Sequence, residues 1–103
     1  MRIIGGVAKG KKISQPIDKK TRPPKDIVRE SIFNILNHSN LLNKSLNDCF
    51  VLDLFSGVGS FGLEAISRGV KKVIFFEEHK GAIDLLFKNI KILNFNEKAE
   101  IVK

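Results

Sequence analysis

The sequence predicts an α/β fold of the doubly wound, Rossmann-like class, entered after an N-terminal arm and a helix and cut short after a third strand. Three observations carry that reading. From Cys49 onward, short apolar runs alternate with amphipathic stretches in the order strand, helix, strand, helix, strand. A glycine-rich turn, Gly57-Val58-Gly59-Ser60-Phe61-Gly62, falls between the first strand and the helix that follows it. An acidic residue, Glu77, closes the second strand. Such alternation is the pattern of parallel strands joined by right-handed helical crossovers.

The chain of 103 residues has room for one small domain, and its 43% hydrophobic content suits a folded chain better than a disordered one. It contains no run of about eighteen apolar residues to cross a bilayer and no secretory signal pattern, so the expected location is cytoplasmic. Cys49 is the single cysteine, and His38 and His79 lie far apart with no ligand spacing around them, so neither a disulfide nor a metal site is expected. The formal charge of +7 is uneven. Residues 1–48 hold ten Lys/Arg against four Asp/Glu, whereas residues 49–103 hold eight against seven. A local basic field attracts phosphate, which favours a nucleic-acid partner, although a lysine-rich solvated face is the plainer alternative.

Taken in order, residues 1–25 read as a basic arm or hairpin rather than core, since Gly5-Gly6, Gly10 and Pro16 break it and Thr21-Arg22-Pro23-Pro24 forbids a helix. Residues 26–48 read as a helix and a linker. Val28, Ile32, Ile35 and Leu36 recur at helical spacing behind a candidate N-cap, Asp26. The Asn/Ser-rich stretch to Asp48 is the linker, with Leu41, Leu42 and Leu46 turned toward the core. Residues 49–103 form the first half of the Rossmann-like domain. Cys49 to Phe55 is almost wholly apolar, as expected of a strand covered on both faces. A helix follows over about 60–68, with Leu63, Ala65 and Ile66 inward and a stop near Gly69. Val73 to Phe76 is the second strand, and residues 80–94 form a helix with Ile83, Leu86, Ile90 and Leu93 on one stripe and Lys88 and Lys91 outside. Ala99 to Val102 begins the third strand.

The glycine turn sits in the strand-to-helix context that a nucleotide loop requires, with helix N–H groups ahead of it. Glu77, twenty residues beyond Gly57, is placed to accept hydrogen bonds from both hydroxyls of an adenosine ribose. Two ligands remain open at this point, a nicotinamide dinucleotide and S-adenosylmethionine. Asp53 lies in the strand four residues before Gly57, where a carboxylate would repel a pyrophosphate but attract the sulfonium and ammonium groups of S-adenosylmethionine. The third possibility is that Asp53 merely caps the next helix and the glycines only shape a turn.

The segment from Val51 to Ala65, VLDLFSGVGSFGLEA, resembles motif I of the bacterial 16S ribosomal RNA (guanine-N2) methyltransferase family, the small-subunit methyltransferase D type. Met1-Arg2-Ile3-Ile4-Gly5-Gly6 with Lys9-Gly10-Lys11-Lys12 resembles that family's opening. Thr21-Arg22-Pro23, followed by the segment from Val28 to Leu36, resembles the helix before its catalytic domain, and Val73 to Glu77 its second strand. The resemblance implies a class I S-adenosylmethionine-dependent methyltransferase fold. It implies that Asp53, Ser56, Gly57 and Gly59 line the methionine end of the cofactor and that Glu77 holds the ribose, with Glu78 as the alternative if the strand ends one residue later. Arg22 would meet the cofactor carboxylate or RNA, or else be a solvated loop charge. Arg2, Lys9, Lys11 and Lys12 would contact phosphates, or form an exposed hairpin. The implied partner is 16S ribosomal RNA or a small-subunit assembly intermediate.

The family's acceptors for the target amine come from an Asn/Asp-Pro-Pro-Tyr/Phe segment, and these 103 residues contain none. Arg22-Pro23-Pro24-Lys25 lacks both the acceptor and the aromatic ring and receives no catalytic role. In the family's full fold a fourth strand pairs with the first, so the strand from Cys49 to Phe55 is expected to stand at an open edge, leaving the chain marginally stable and prone to self-association. A non-catalytic RNA-binding fragment and a dinucleotide-binding protein are the competing readings.

Overall fold

The computed structural model describes residues 1–15, 26–38 and 45–103. After an N-terminal hairpin come helix α1 (Asp26–His38), a 3-10 turn (Leu46–Asp48), strand β1 (Phe50–Leu54), helix α2 (Ser60–Ser67), strand β2 (Lys72–Phe76), helix α3 (Lys80–Leu93), a second 3-10 turn (Asn96–Lys98) and strand β3 (Ala99–Val102). The three strands are parallel in the order β1-β2-β3, with Val51 opposite Val73 and Val73 opposite Ala99. Among the described residues no helix is long and apolar enough to cross a membrane.

The boundaries follow local chemistry. His79 caps α3, its ring nitrogen accepting from the Ala82 N–H, and Asn94 ends the helix in the left-handed conformation. Gly69, at φ 108, reverses the chain after α2. The expected inward residues of α2 and α3 are the buried ones: Leu63, Ala65 and Ile66 from α2, and Ile83, Leu86, Ile90 and Leu93 from α3. They join Val73 and Phe75 in one core, with Val51, Ala99 and Ile101 packed against it, so both helices cover the same face of the sheet. Leu46 reaches this core as expected, whereas Leu41 and Leu42 lie outside the described residues.

Three expectations need correction. The strand from Cys49 to Phe55 is covered on one face only. Phe50, Leu52 and Leu54 are about 60% exposed, and they share their face with Lys72, Ile74 and Phe76 of β2. An unbroken apolar run says that both faces suit burial, and it cannot supply the cover. β1 is also the edge strand, as expected.

The N-terminal arm, expected to stay out of the core, contributes Ile3, Ala8 and Ile13 to it. It is a hairpin, closed by Ile3 N–H to Lys11 O (2.9 Å), Gly10 N–H to Ile3 O (2.8 Å) and Ile13 N–H to Met1 O (3.0 Å). Its turn lies so close to α2 that a Cβ at Gly6 would collide with the Ser67 carbonyl. Side-chain and backbone bonds then staple it down, among them Ala8 N–H to Ser67 Oγ at 2.9 Å and Ser67 Oγ to Gly5 O at 2.6 Å.

Helix α1 buries Arg29 and Phe33, not the expected face of Val28 and Ile35, which are exposed; Ile32 and Leu36 are partly buried. The cause lies in α2. Glu64 is wholly buried, and its carboxylate accepts from Ile4 N–H and Gly5 N–H (both 2.9 Å), Arg29 Nη1 (3.3 Å) and Arg68 Nε (2.7 Å). Arg29 also donates from Nη2 to Arg2 O and to Asp26 Oδ1, each at 2.8 Å. Arg68 covers the Phe33 ring, which stacks on Phe61 at 5.0 Å. A polar bond set of this kind turns the helix by one position, because an unpaired buried charge costs more than an exposed Val.

Removing Glu64 takes the acceptor away from the buried Arg29 Nη1, from Arg68 Nε and from the Ile4 and Gly5 N–H groups. Glu64→Ala is expected to lose about 3–5 kcal/mol in urea unfolding, whereas Glu97→Ala, on an exposed turn, should stay within about 0.5 kcal/mol of the parent chain.

Candidate functional site

β1 ends at Leu54, and the next residue, Phe55, turns the chain with a φ of 58° while its ring is 92% exposed. The turn that follows is fastened to the end of β2 and closed on itself. Ser56 N–H donates to Phe76 O at 3.0 Å, and Gly59 N–H donates back to Ser56 O at 2.9 Å. The glycines have different reasons to be there. Gly59, at φ 92, caps α2, and a Cβ on it would run into Leu86 and Leu63. A Cβ on Gly62 would strike the Phe75 ring. Gly57, at φ 57, has nothing among the described residues within 4 Å of the place a Cβ would take.

Two acids flank this turn. Asp53 projects from β1 beneath α2, and its Oδ2 accepts from the Gly62 N–H at 3.0 Å; Oδ1 meets no donor among the described residues. Burial pushes its carboxyl up from 3.8 to about 6, against the lowering effect of the Gly62 N–H, and the charge of Glu77 pushes it further in the same direction. Glu77 is the first residue beyond β2, and both of its oxygens are engaged. Oε1 accepts from Gly57 N–H at 2.8 Å, and Oε2 from Glu78 N–H (3.1 Å) and His79 N–H (3.0 Å). Its slight burial raises the pKa, but the His79, Gly57 and Glu78 N–H groups outweigh that and hold it below its ordinary value. The Ser56 hydroxyl, in the same turn, is buried and has no hydrogen-bond partner among the described residues.

Asp53, Ser56, Gly57, Gly59 and Glu77 therefore meet at the carboxyl ends of β1 and β2, the place where parallel sheets bind ligands. Their arrangement adds something the sequence reading lacked. Asp53 does cap the following helix, and it also carries an oxygen to spare. Glu77 is expected from the sequence to face a ribose, yet it is also the side chain that fixes the glycine turn. The charge of Glu77 acts on Asp53, so by charge alone the pair favours a cation over a diphosphate nearby.

The basic candidates of the hairpin lie elsewhere. Arg22 falls outside the described residues. Arg2, Lys9, Lys11 and Lys12 are exposed on the hairpin, whose turn is docked at the C-terminal end of α2, opposite the end that carries the glycine turn. Arg2 forms an exposed pair with Asp26 at 3.7 Å. Sequence reasoning missed Glu64, Ser67 and Asn89, all buried polar residues on helix faces turned to the core. One signal was available. Asn89 interrupts the apolar stripe of α3 between Leu86 and Leu93.

Residues 1–103 match the family described as Conserved hypothetical protein 95. Among curated proteins the chain is 35% identical over 103 residues to YlbH of Bacillus subtilis, provisionally named an rRNA methyltransferase, covering all of this chain and 53% of that protein. It is 37% identical over 103 residues to the ribosomal RNA small subunit methyltransferase D of Haemophilus influenzae, covering 99% of this chain and 50% of the other. The solved structure of the Escherichia coli protein yhhF, provisionally named a methyltransferase, superposes with a TM-score of 0.79 at 34% identity, over 99% of this chain and 51% of that one. The chain thus spans about half the length of the relatives it matches.

The raised carboxyl of Asp53 has a measurable consequence. Between about pH 4 and pH 6 the folded chain keeps a proton that the unfolded chain has released, so this group's contribution to stability falls as pH rises through that window. Asn keeps an oxygen for the Gly62 N–H and carries no charge. Asp53→Asn is therefore expected to melt a few degrees above the parent at pH 8, with the difference closing toward pH 4 in thermal scans across that range.

Proposed function

The chain belongs to the Conserved hypothetical protein 95 family, and on that premise we propose that its glycine turn binds S-adenosyl-L-methionine as the cofactor part of a methyltransferase acting on small-subunit ribosomal RNA. The observation that carries the reading is the Asp53 carboxylate. It is held partly buried beside a second acid, with one oxygen unclaimed by the described residues, so a cationic ligand relieves an unfavourable charge while a pyrophosphate adds to it. Among the described residues Gly57 has no neighbour where a Cβ would sit and the Ser56 hydroxyl has no partner, which fits the same group. In this reading Asp53, Ser56, Gly57 and Gly59 hold the methionine end and Glu77 the ribose; Glu77 is favoured over Glu78 because β2 stops at Phe76. Arg22 belongs to the same proposal, toward the cofactor carboxylate or RNA. The cofactor supplies an electrophilic methyl group; the chain's own residues bind and orient it.

The finer assignment rests on the relatives' names and on the resemblance of the N-terminal segment. It is methylation of the exocyclic N2 of a guanine in 16S ribosomal RNA, or in an assembly intermediate of the small subunit, by a cytoplasmic enzyme. Arg2, Lys9, Lys11 and Lys12, exposed along one hairpin, are the proposed phosphate contacts. No Asn/Asp-Pro-Pro-Tyr/Phe segment occurs in the 103 residues, so this chain alone is proposed to bind the cofactor without completing the transfer. The second reading, an RNA-binding fragment without chemistry, draws on the same basic hairpin. A further proposal concerns the uncovered face. Three apolar side chains about 60% exposed on β1, the edge strand among the described residues, favour a second copy of the chain docking there.

Calorimetry tests the cofactor. S-adenosylhomocysteine is expected to bind and nicotinamide dinucleotide is not, with Asp53→Asn weakening the former about tenfold or more, the loss of one charge-assisted contact. Tritiated S-adenosylmethionine with unmodified small-subunit RNA should give no incorporation; labelled RNA would refute the absence of the transfer machinery. Sedimentation over a range of concentrations should reveal reversible association that Leu52→Lys suppresses, and a parent chain that stays monomeric throughout removes the self-docking proposal.

A further inference from the structure

Asn89 of α3 is wholly buried, and among the described residues its side chain bonds to backbone alone. Its Oδ1 accepts from the Ser14 N–H at 2.7 Å, and its Nδ2 donates to Ser14 O and to Val58 O, each at 3.0 Å. Both amide hydrogens and the carbonyl are thus spent on two segments that the chain keeps far apart. Toward Ser14 the side chain behaves as a strand neighbour would, pairing with N–H and C=O together. Only a primary amide of this length can do so and still reach a third group.

Those two segments are the ones that matter for function. Ser14 follows directly on the hairpin that carries Arg2, Lys9, Lys11 and Lys12. Val58 is the middle residue of the glycine turn, and its carbonyl shares a peptide plane with the Gly59 N–H, itself bonded to Ser56 O. Fixing the Val58 carbonyl therefore fixes how that plane is rotated. Glu77 clamps the turn from the β2 side through the Gly57 N–H, and Asn89 clamps it from the α3 side.

We infer that Asn89 is a positioning residue that locks the basic hairpin and the glycine turn into one unit, so that the turn takes its ligand-ready form only when the hairpin is docked. The cofactor part of this inference rests on the function proposed above; the clamp itself does not. Ser67 offers a matched control. It also staples the hairpin by two hydrogen bonds, to Ala8 N–H and Gly5 O, yet it sits at the opposite end of α2 from the turn. If Asn89 served folding alone, losing either staple would have the same kind of effect.

The test compares Asn89→Asp, Asn89→Ala and Ser67→Ala with the parent chain. Asp keeps the acceptor for Ser14 N–H and loses the donors; Ala removes the whole clamp and serves if the buried carboxylate prevents folding. Both Asn89 variants are expected to weaken S-adenosylhomocysteine binding about tenfold, whereas Ser67→Ala lowers the urea midpoint and leaves the affinity within about twofold. Amide exchange provides a readout that needs no ligand. In Asn89→Ala the Gly59 and Ser14 amides should lose protection together, in Asn89→Asp the Gly59 amide should lose it while Ser14 N–H keeps its acceptor, and in Ser67→Ala the loss should be confined to the Ala8 amide and its hairpin neighbours. Equal loss of affinity in the Asn89 and Ser67 variants, or a Gly59 amide that stays protected without the Asn89 side chain, overturns the inference. A parent chain that binds no S-adenosylhomocysteine refutes the cofactor reading, and the exchange pattern then decides the clamp by itself.

Discussion

The Glu64 carboxylate is the contact on which most of the architecture turns. Buried in α2, it faces the first residues of the chain, helix α1 and the end of its own helix, and it meets donors from all three. Such a group is costly to desolvate, and the cost is offset only when each oxygen is fully used. The arrangement consequently admits little latitude. The hairpin must present two consecutive N–H groups at Ile4 and Gly5, α1 must bring Arg29 inward, and Arg68 must fold back over Phe33. Apolar contacts from Ile3, Ala8 and Ile13 supply bulk burial, while the carboxylate selects the register in which they occur.

From that anchored base the glycine turn inherits its shape. α2 is held at its C-terminal half by Glu64 and Ser67, and its N-terminal half is capped by Asp53 through Gly62. The turn between β1 and α2 is then caught between Glu77 and Asn89, one from each following element. The acids at the site are structural and chemical at once. Glu77 spends three hydrogen bonds on backbone, which hold its pKa below its ordinary value, whereas burial pushes the Asp53 carboxyl up to about 6.

The same fold leaves one face of the sheet uncovered. Parallel sheets are ordinarily buried on both sides, and the relatives matched by this chain are about twice its length. The exposed row of Phe50, Leu52 and Leu54, ending in Phe55, is thus a surface composed like a core.

Where each element lies was legible in the sequence, because helix and strand periods, glycine stops and caps are local properties read within a few residues. The spacing of Asp53, the glycine turn and Glu77 was equally legible, since a strand-turn-helix-strand unit fixes those positions along the chain. What the sequence could not disclose were choices made by partners far away. Arg29 goes inward because of Glu64, thirty-five positions on, and Asn89 is claimed by Ser14, seventy-five positions back. Whether a polar side chain is buried depends on whether a distant donor or acceptor meets it, and only the folded chain brings those atoms to hydrogen-bonding distance.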